Sequence, residues 1–295
     1  EPKKDKIAFN FGKNVGVNVD DAYTVGYFLN KNGKQVFVET GYMKVRKVKD
    51  KESVSQLLIV TNPKREKEDD LFNEYDQCYE YPLVGMSFIP NFGLISGFKS
   101  WENNPESVEF EEIPGAGVGG LRVEYDIAKY VKIPELYFLA SGDFVITEIG
   151  EINDGANTFE YTPSTVLVEG GIMKKFFIRR FAWYLGASYL YEAMTLNVKS
   201  ETASYDEDFN LYSAGFKGFV GINYMLSKTW FFDLQASFAG MSPLMDEDGN
   251  EVLAEDALND PLGIFYGVNN VEDVDETQFL VPSGLTIKAG IGITF

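Results

Sequence analysis

The sequence predicts an all-β protein, a transmembrane antiparallel up-and-down β-barrel of about twelve strands, on three observations. Apolar and polar residues alternate at period two through segments of ten or more residues. Short links alternate with long polar ones along the chain. The 295 residues include 24 Phe and 17 Tyr, with Pro confined to what read as turns and edges. Nothing resembling a linker interrupts the pattern, so residues 1–295 are read as a single barrel domain.

Taken from the N-terminus, the pattern is weakest in the first third, where strands fit residues 7–17, 23–29, 36–45, 79–89 and 92–101. Residues 81–98 carry no charge, yet Pro82, Gly85, Pro90, Gly93 and Gly97 break them up as a spanning helix. They read as two strands around a turn at Pro90-Asn91. After Gly115 the alternation sharpens into seven long strands. Leu121, Val123, Tyr125 and Ile127 oppose Arg122, Glu124 and Asp126. Leu136, Phe138, Ala140, Phe144 and Ile146 oppose Ser141 and Asp143. Val166, Val168 and Ile172 oppose Glu169, and Trp183, Leu185, Ala187, Tyr189 and Tyr191 make the next apolar face. Tyr212, Ala214, Phe216, Val220, Ile222, Tyr224 and Leu226 oppose Lys217, Gly221 and Asn223. Trp230, Phe232, Leu234, Ala236 and Phe238 oppose Asp233, Gln235 and Ser237. The last strand sets Leu285, Ile287, Ala289, Ile291, Ile293 and Phe295 against Thr286, Lys288, Gly290, Gly292 and Thr294.

Short links at 30–33, 90–91, 129–133, 177–181 and 227–228 alternate with long ones at 49–77, 102–112, 150–163, 199–210 and 241–283. Short periplasmic turns on one rim and long acidic extracellular loops on the other is the arrangement of an outer-membrane barrel. A soluble ligand-binding barrel also alternates, with its apolar face inward. Three features favour the membrane. The strands reach the nine to eleven residues that cross a bilayer, their polar faces are rich in small residues, and Trp183, Trp230, Tyr224 and Phe295 lie near short-turn ends, where an aromatic girdle belongs. With the apolar stripe toward lipid, Glu39, Arg122, Glu124, Asp126, Asp143, Glu169, Lys217, Asp233 and Lys288 are expected in the lumen. A cation facing the bilayer midplane costs about 2–4 kcal/mol.

The closing octet KAGIGITF resembles the β-signal by which the bacterial barrel-assembly machinery recognises its substrates. Lys288, Gly290, Ile293 and Phe295 fill its polar, glycine, apolar and terminal aromatic positions. The resemblance implies a bacterial outer-membrane protein with that machinery and outer-membrane lipid as partners. Over 35–89, VFVETGYMKVRKV and YEYPLVGMSF look like the central hairpin of the outer-membrane barrels that include type IX secretion-associated proteins. No apolar leader is seen at Glu1-Pro2-Lys3-Lys4-Asp5, so any signal peptide is taken as already removed.

A net charge of −19 argues against nucleic acid, which needs clustered Lys and Arg. The chain has no His, the usual general base, and one cysteine, Cys78, so an enzyme, a disulfide and a Cys-based metal cage are not expected. No cofactor and no metal site is assigned. The loop at 241–283 holds eleven acids and no Lys or Arg. A solvated loop is the plain reading, and a divalent cation or a basic protein partner the sharper one. Its DEDGNE run places Gly fourth instead of sixth for an EF-hand, so a hairpin tip with an Asp-Gly turn accounts for it better. The expected role is a narrow channel or transport barrel for small solutes. The alternative is a plugged, non-conducting barrel serving as a structural or interaction subunit of an outer-membrane secretion or uptake complex.

Overall fold

The computed structural model describes residues 6–61, 76–95, 99–102, 109–112, 116–146, 150–153, 158–200, 205–242, 245–247, 249 and 285–295. Two sheets carry the fold. The larger closes on itself as an eight-stranded antiparallel barrel, built from β6 (Met86–Ile95), β9 (Ala116–Asp126), β10 (Leu136–Ile146), β12 (Thr158–Ile178), β13 (Phe181–Ser200), β14 (Tyr205–Met225), β15 (Trp230–Met241) and β16 (Leu285–Thr294). Neighbours around the wall are neighbours in the chain, and β16 closes the barrel against β6. The short hairpin β7 (Lys99–Glu102) and β8 (Glu109–Glu112) pairs with itself, while β11 (Gly150–Asn153) extends β12 beyond the wall.

The smaller sheet has the order β1 (Lys6–Phe9), β4 (Ser53–Val60), β3 (Lys34–Val48), β2 (Ala22–Lys31), β5 (Gln77–Glu80). It lies across the short-turn mouth of the barrel. Tyr42, Leu58, Ile59 and Ala22 on one face pack with Tyr81, Leu83, Phe177 and Met225 of the rim. The opposite face buries Tyr23, Val25, Met43 and Val45 under Phe9, Phe11 and Val17. A strand with two covered faces hides the polar alternation that marks a barrel wall.

The expectation of about twelve strands in one barrel spanning the whole chain is therefore corrected. All seven strands after Gly115 are wall strands, but of the five proposed before it only parts of 79–89 and 92–101 reach the wall, merged into the single strand β6. Residues 7–17, 23–29 and 36–45 belong to the smaller sheet or the segment covering it, and so does the VFVETGYMKVRKV run, which forms β3 instead of a barrel hairpin. The expected turn at Pro90-Asn91 is the middle of β6, which runs straight through it. Proline has no N–H to give, and the ladder to β16 skips Ile89 and Pro90 while keeping its register on either side. The link at 30–33 is a hairpin turn in the smaller sheet, with Asn32 and Gly33 at φ 56° and 78°, the left-handed pair that a tight turn demands.

Among the wall strands, short and long connections do separate to opposite rims, but the long loop expected at 49–77 instead contains β4 of the smaller sheet. The short rim carries a turn around α1 (Ala128–Val131), a two-residue turn at Arg179-Arg180 and the link 226–229. The long connections, including 242–284, open at the other rim. The loop at 241–283 lies largely outside the described residues. In its described part, Met245 pairs with Tyr212, and Gly249 donates its N–H to the Asp246 carbonyl at 3.1 Å; the rest of the expected hairpin tip lies outside the described residues.

Candidate functional site

Strand parity sorts the wall residues into two populations. On the outside, Phe216, Phe144, Phe238, Val220, Ile172 and Ile291 are exposed, and Trp183, Tyr224, Trp230 and Phe295 form an exposed ring near the short-turn rim. Phe176 stacks on Trp183 with ring centroids 4.1 Å apart. On the inside, Arg122, Glu124, Asp143, Glu169, Lys217, Asp233 and Lys288 are all at most 6% exposed. Seven of the nine residues expected to line the lumen are thus within it. Asp126 ends β9 at the short-turn rim, 3.5 Å from Lys44 of β3. Glu39 is outside the barrel altogether, on β3, with its carboxylate 2.5 Å from Lys228 Nζ on the 226–229 turn.

The inner charges meet one another. Nearer the short-turn rim, Arg122 binds Asp233 at 2.8 Å and Glu124 at 3.0 Å, and Lys175 Nζ meets the other Glu124 oxygen at 2.6 Å. Tyr184 Oη and Asn223 Nδ2 donate to Asp233 at 2.9 and 2.5 Å. Higher up, Lys288 pairs with Asp143 at 2.6 Å and Lys217 pairs with Glu169. The Ser141 hydroxyl sits between these pairs, 2.9 Å from Glu169 and 3.1 Å from Asp143. Aromatic rings fill the remaining space, each lying on a glycine of the next strand where a Cβ would collide: Tyr184 on Gly221, Phe219 on Gly186, Phe231 on Gly292. Toward the loop rim, Ile95, Ala116, Val118, Val145, Leu167, Leu190 and Ala239 add an apolar layer. Eight strands enclose a bore that side chains can fill completely.

Two inner groups escaped the sequence reading. Lys175 keeps the inward parity of Glu169 three pleats further along β12, before the short link expected at 177–181. Glu192 follows Tyr191 on the inward parity of β13, beside Leu190 and opposite Leu167 of β12. It is fully buried, and among the described residues neither of its carboxylate oxygens has a hydrogen-bond partner.

A second ionic cluster joins the sheets. Arg46 of β3 bridges Asp20, at 2.8 Å, and Glu135, while Lys44 lies 3.5 Å from Asp126, 3.9 Å from Glu135 and 3.3 Å from Tyr137 Oη. The Glu135 N–H donates to Asp20, and Gln56 Nε2 donates to the Phe177 carbonyl at 2.8 Å. Burial is the largest influence on both acids and works to raise them. At Glu135, Arg46 and Lys44 outweigh it and hold the carboxyl down to about 2. At Asp20, burial is reinforced by Glu135 and pushes the carboxyl up to about 7. Next to this cluster a cavity of about 170 Å³ opens between the sheets, lined by Asp20, Tyr42, Lys44, Tyr81, Asp126 and Lys228 among others. None of these partners shares local sequence with the residue it meets, so parity could not have paired them.

The four residues of the terminal octet each have a place at the seam. Lys288 pairs inward with Asp143, and Gly290 leaves room for the Pro90 carbonyl at 2.6 Å from where a Cβ would stand. Ile293 pairs with both Trp230 and Phe88, and Phe295 donates its N–H to the Met86 carbonyl at 2.9 Å.

No protein-family model matches the chain, and no curated protein matches it in sequence. Among solved structures it is similar to the neisserial surface protein A (NspA), with 9% identity, a TM-score of 0.38, and coverage of 73% of this chain and all of the other, 100%. It is also similar to the N-terminal β-barrel domain of Pseudomonas aeruginosa OprF, with 11% identity, a TM-score of 0.35, and coverage of 72% and 100% respectively. Scores of this size carry no argument about role.

Proposed function

We propose that the chain is a closed outer-membrane barrel, non-conducting and non-enzymatic, that acts as a structural or interaction subunit of a membrane complex. The observation that carries this reading is the interior itself. Four cations, Arg122, Lys175, Lys217 and Lys288, are matched by Glu124, Asp143, Glu169 and Asp233 within ion-pair distance. The charges that invite a channel reading are spent on one another, and the apolar layer above them offers an ion nothing to replace its water. Membrane placement draws its support from the exposed apolar wall enclosing a charged interior, an inversion that water would penalise. The terminal octet supports delivery by the barrel-assembly machinery. The smaller sheet on the short-turn rim and the acidic loop at 241–283 are the surfaces on which a protein partner or a divalent cation would bind.

Single-channel recording in planar bilayers tests the reading. The folded full-length protein should insert without conductance steps. Arg122→Ala combined with Lys175→Ala, which empties the lower plug, should give steps or flickering current. Stable steps from the unaltered protein would overturn the closed barrel.

A further inference from the structure

The smaller sheet reaches past the barrel that it covers. β3 crosses the short-turn mouth from Arg46, beside Glu135 and Phe177, to Glu39, which is held by Lys228 on the turn between β14 and β15. Beyond Glu39 the β2–β3 hairpin continues outward, and burial gives way to exposure: residues 22–26 of β2 and 40–45 of β3 are buried, while residues 28–31 and 34–36 are exposed. The hairpin therefore extends beyond its last tie to the barrel, the Glu39–Lys228 pair at the turn between β14 and β15.

Its faces can be assigned. Val25 pairs with Gly41 and Gly26 with Glu39, so Thr40 is an extra residue, a bulge that reverses the parity of β3. After the bulge, Glu39 and Phe37 share the side that Tyr42 and Lys44 present to the barrel. On β2, Ala22 and Thr24 occupy that side, and Phe28 follows at the same parity. Phe28 pairs with Phe37 and their rings are 5.6 Å apart; Tyr79 of β5 closes the group, 4.9 Å from Phe37 and 6.3 Å from Phe28. Phe28 is 41% and Tyr79 45% exposed, although the side they share is the one that the barrel covers further in. The wall next to this cluster carries Tyr224, Leu226 and Trp230 on its exposed face. Residues 27–38 contain Lys31 and Lys34 and no acid, in a chain of net charge −19.

We propose that the β2–β3 hairpin is a membrane-interface anchor, with Phe28, Phe37 and Tyr79 seated in the headgroup layer beside the short-turn rim and Lys31 and Lys34 on lipid phosphates. The inference rests on the barrel lying in a bilayer. Two features select lipid over another occupant: the rings continue the barrel's own exposed aromatic belt, and the tip is locally basic. Aromatic rings with lysines beside them are the side chains that settle at a bilayer surface, and the lysines add attraction to an anionic leaflet.

The test uses the full-length chain with Cys78→Ser and one new cysteine, labelled with bimane, at Phe28, Leu29 or Val220. Each protein is reconstituted into vesicles of phosphatidylethanolamine and phosphatidylglycerol containing lipids brominated near the headgroup. The Phe28 and Val220 labels should be quenched, and the Leu29 label, on the opposite hairpin face, much less. Adding Lys31→Glu and Lys34→Glu should reduce quenching at Phe28 at low salt. A Val220 label that is quenched beside a Phe28 label no more quenched than Leu29 overturns the anchor and leaves the barrel standing. The same follows if the Phe28 label is unquenched and the same cysteine, left unlabelled, is oxidised by copper phenanthroline to a disulfide with a second copy. An unquenched Val220 label would instead sink the membrane placement, and the anchor with it.

Discussion

The barrel interior and the joint between the two sheets are both buried ionic clusters, but their balance differs. Inside the wall, four cations meet four acids, with Glu192 the unmatched charge among the described residues. At the joint, two cations, Lys44 and Arg46, are shared by three acids, Asp20, Asp126 and Glu135. A matched set offsets its cost of desolvation by its own geometry. A set with one acid too many can be relieved by a single proton. The difference suits a rigid plug in one place and an adjustable contact in the other.

The sharpest way to break the comparison is to unbalance the plug. Arg122→Met removes the guanidinium between Glu124 and Asp233 and leaves Asp233 without a cation. Removing one partner of a buried pair costs about 3–5 kcal/mol. The variant should unfold at markedly lower temperature, read as the shift between folded and unfolded bands on semi-native gels. A midpoint unchanged from the parent would mean that the interior is wet enough to solvate the orphaned acid.

The joint should instead respond to pH. Asp20 ordinarily titrates near 3.8 and is held at about 7 in the folded chain, so between these values the folded state binds the extra proton. Stability must then fall as pH rises through that window, with a slope of about 1.4 kcal/mol per pH unit at most for one proton. Glu135, held at about 2, works the other way, and its contribution is lost as pH falls from its ordinary 4.5 toward that value. The docked sheet should therefore resist proteolysis best near pH 4, where the two opposing trends meet, and less well at pH 8. Asp20→Asn should flatten the change above pH 4 while sparing the loss at low pH. A profile identical to the parent's would place the extra proton elsewhere.

The seven later wall strands are legible because the exposed outer face and the enclosed interior impose opposite demands on alternate residues over a whole strand. Phe232 and Asp233 cannot exchange places, so their order states which side is which. The earlier strands carried no such statement. Tyr42 and Met43 on β3 are both buried, one toward the rim and one toward Phe9 and Val17, and two apolar faces read as poor alternation. Pro90 misled because a proline in a wall strand costs a single ladder bond, which the seam with β16 tolerates. Parity locates Arg122, Glu124 and Asp143, and the same parity carried along β12 and β13 reaches Lys175 and Glu192. The pairing of Arg46 with Asp20 and Glu135 is a product of docking, and no local pattern records it.

Glu192 is the place where the balanced interior can be sharpened further. It lies between Leu190 and Met194 on β13, opposite Leu167, with no cation among the described residues to meet it. A buried carboxyl without a partner is destabilising whether it stays ionised or takes a proton, because its oxygens have given up water and received nothing. Glu192→Met has nearly the same length, keeps the inward packing and removes the oxygens. It should raise the unfolding free energy by about 1–3 kcal/mol, measured by denaturant titration in detergent micelles. The effect is smaller than that of Arg122→Met and opposite in sign. A loss of stability would show that Glu192 is already met by a partner from the loop rim, and that the interior has no unmatched charge at all.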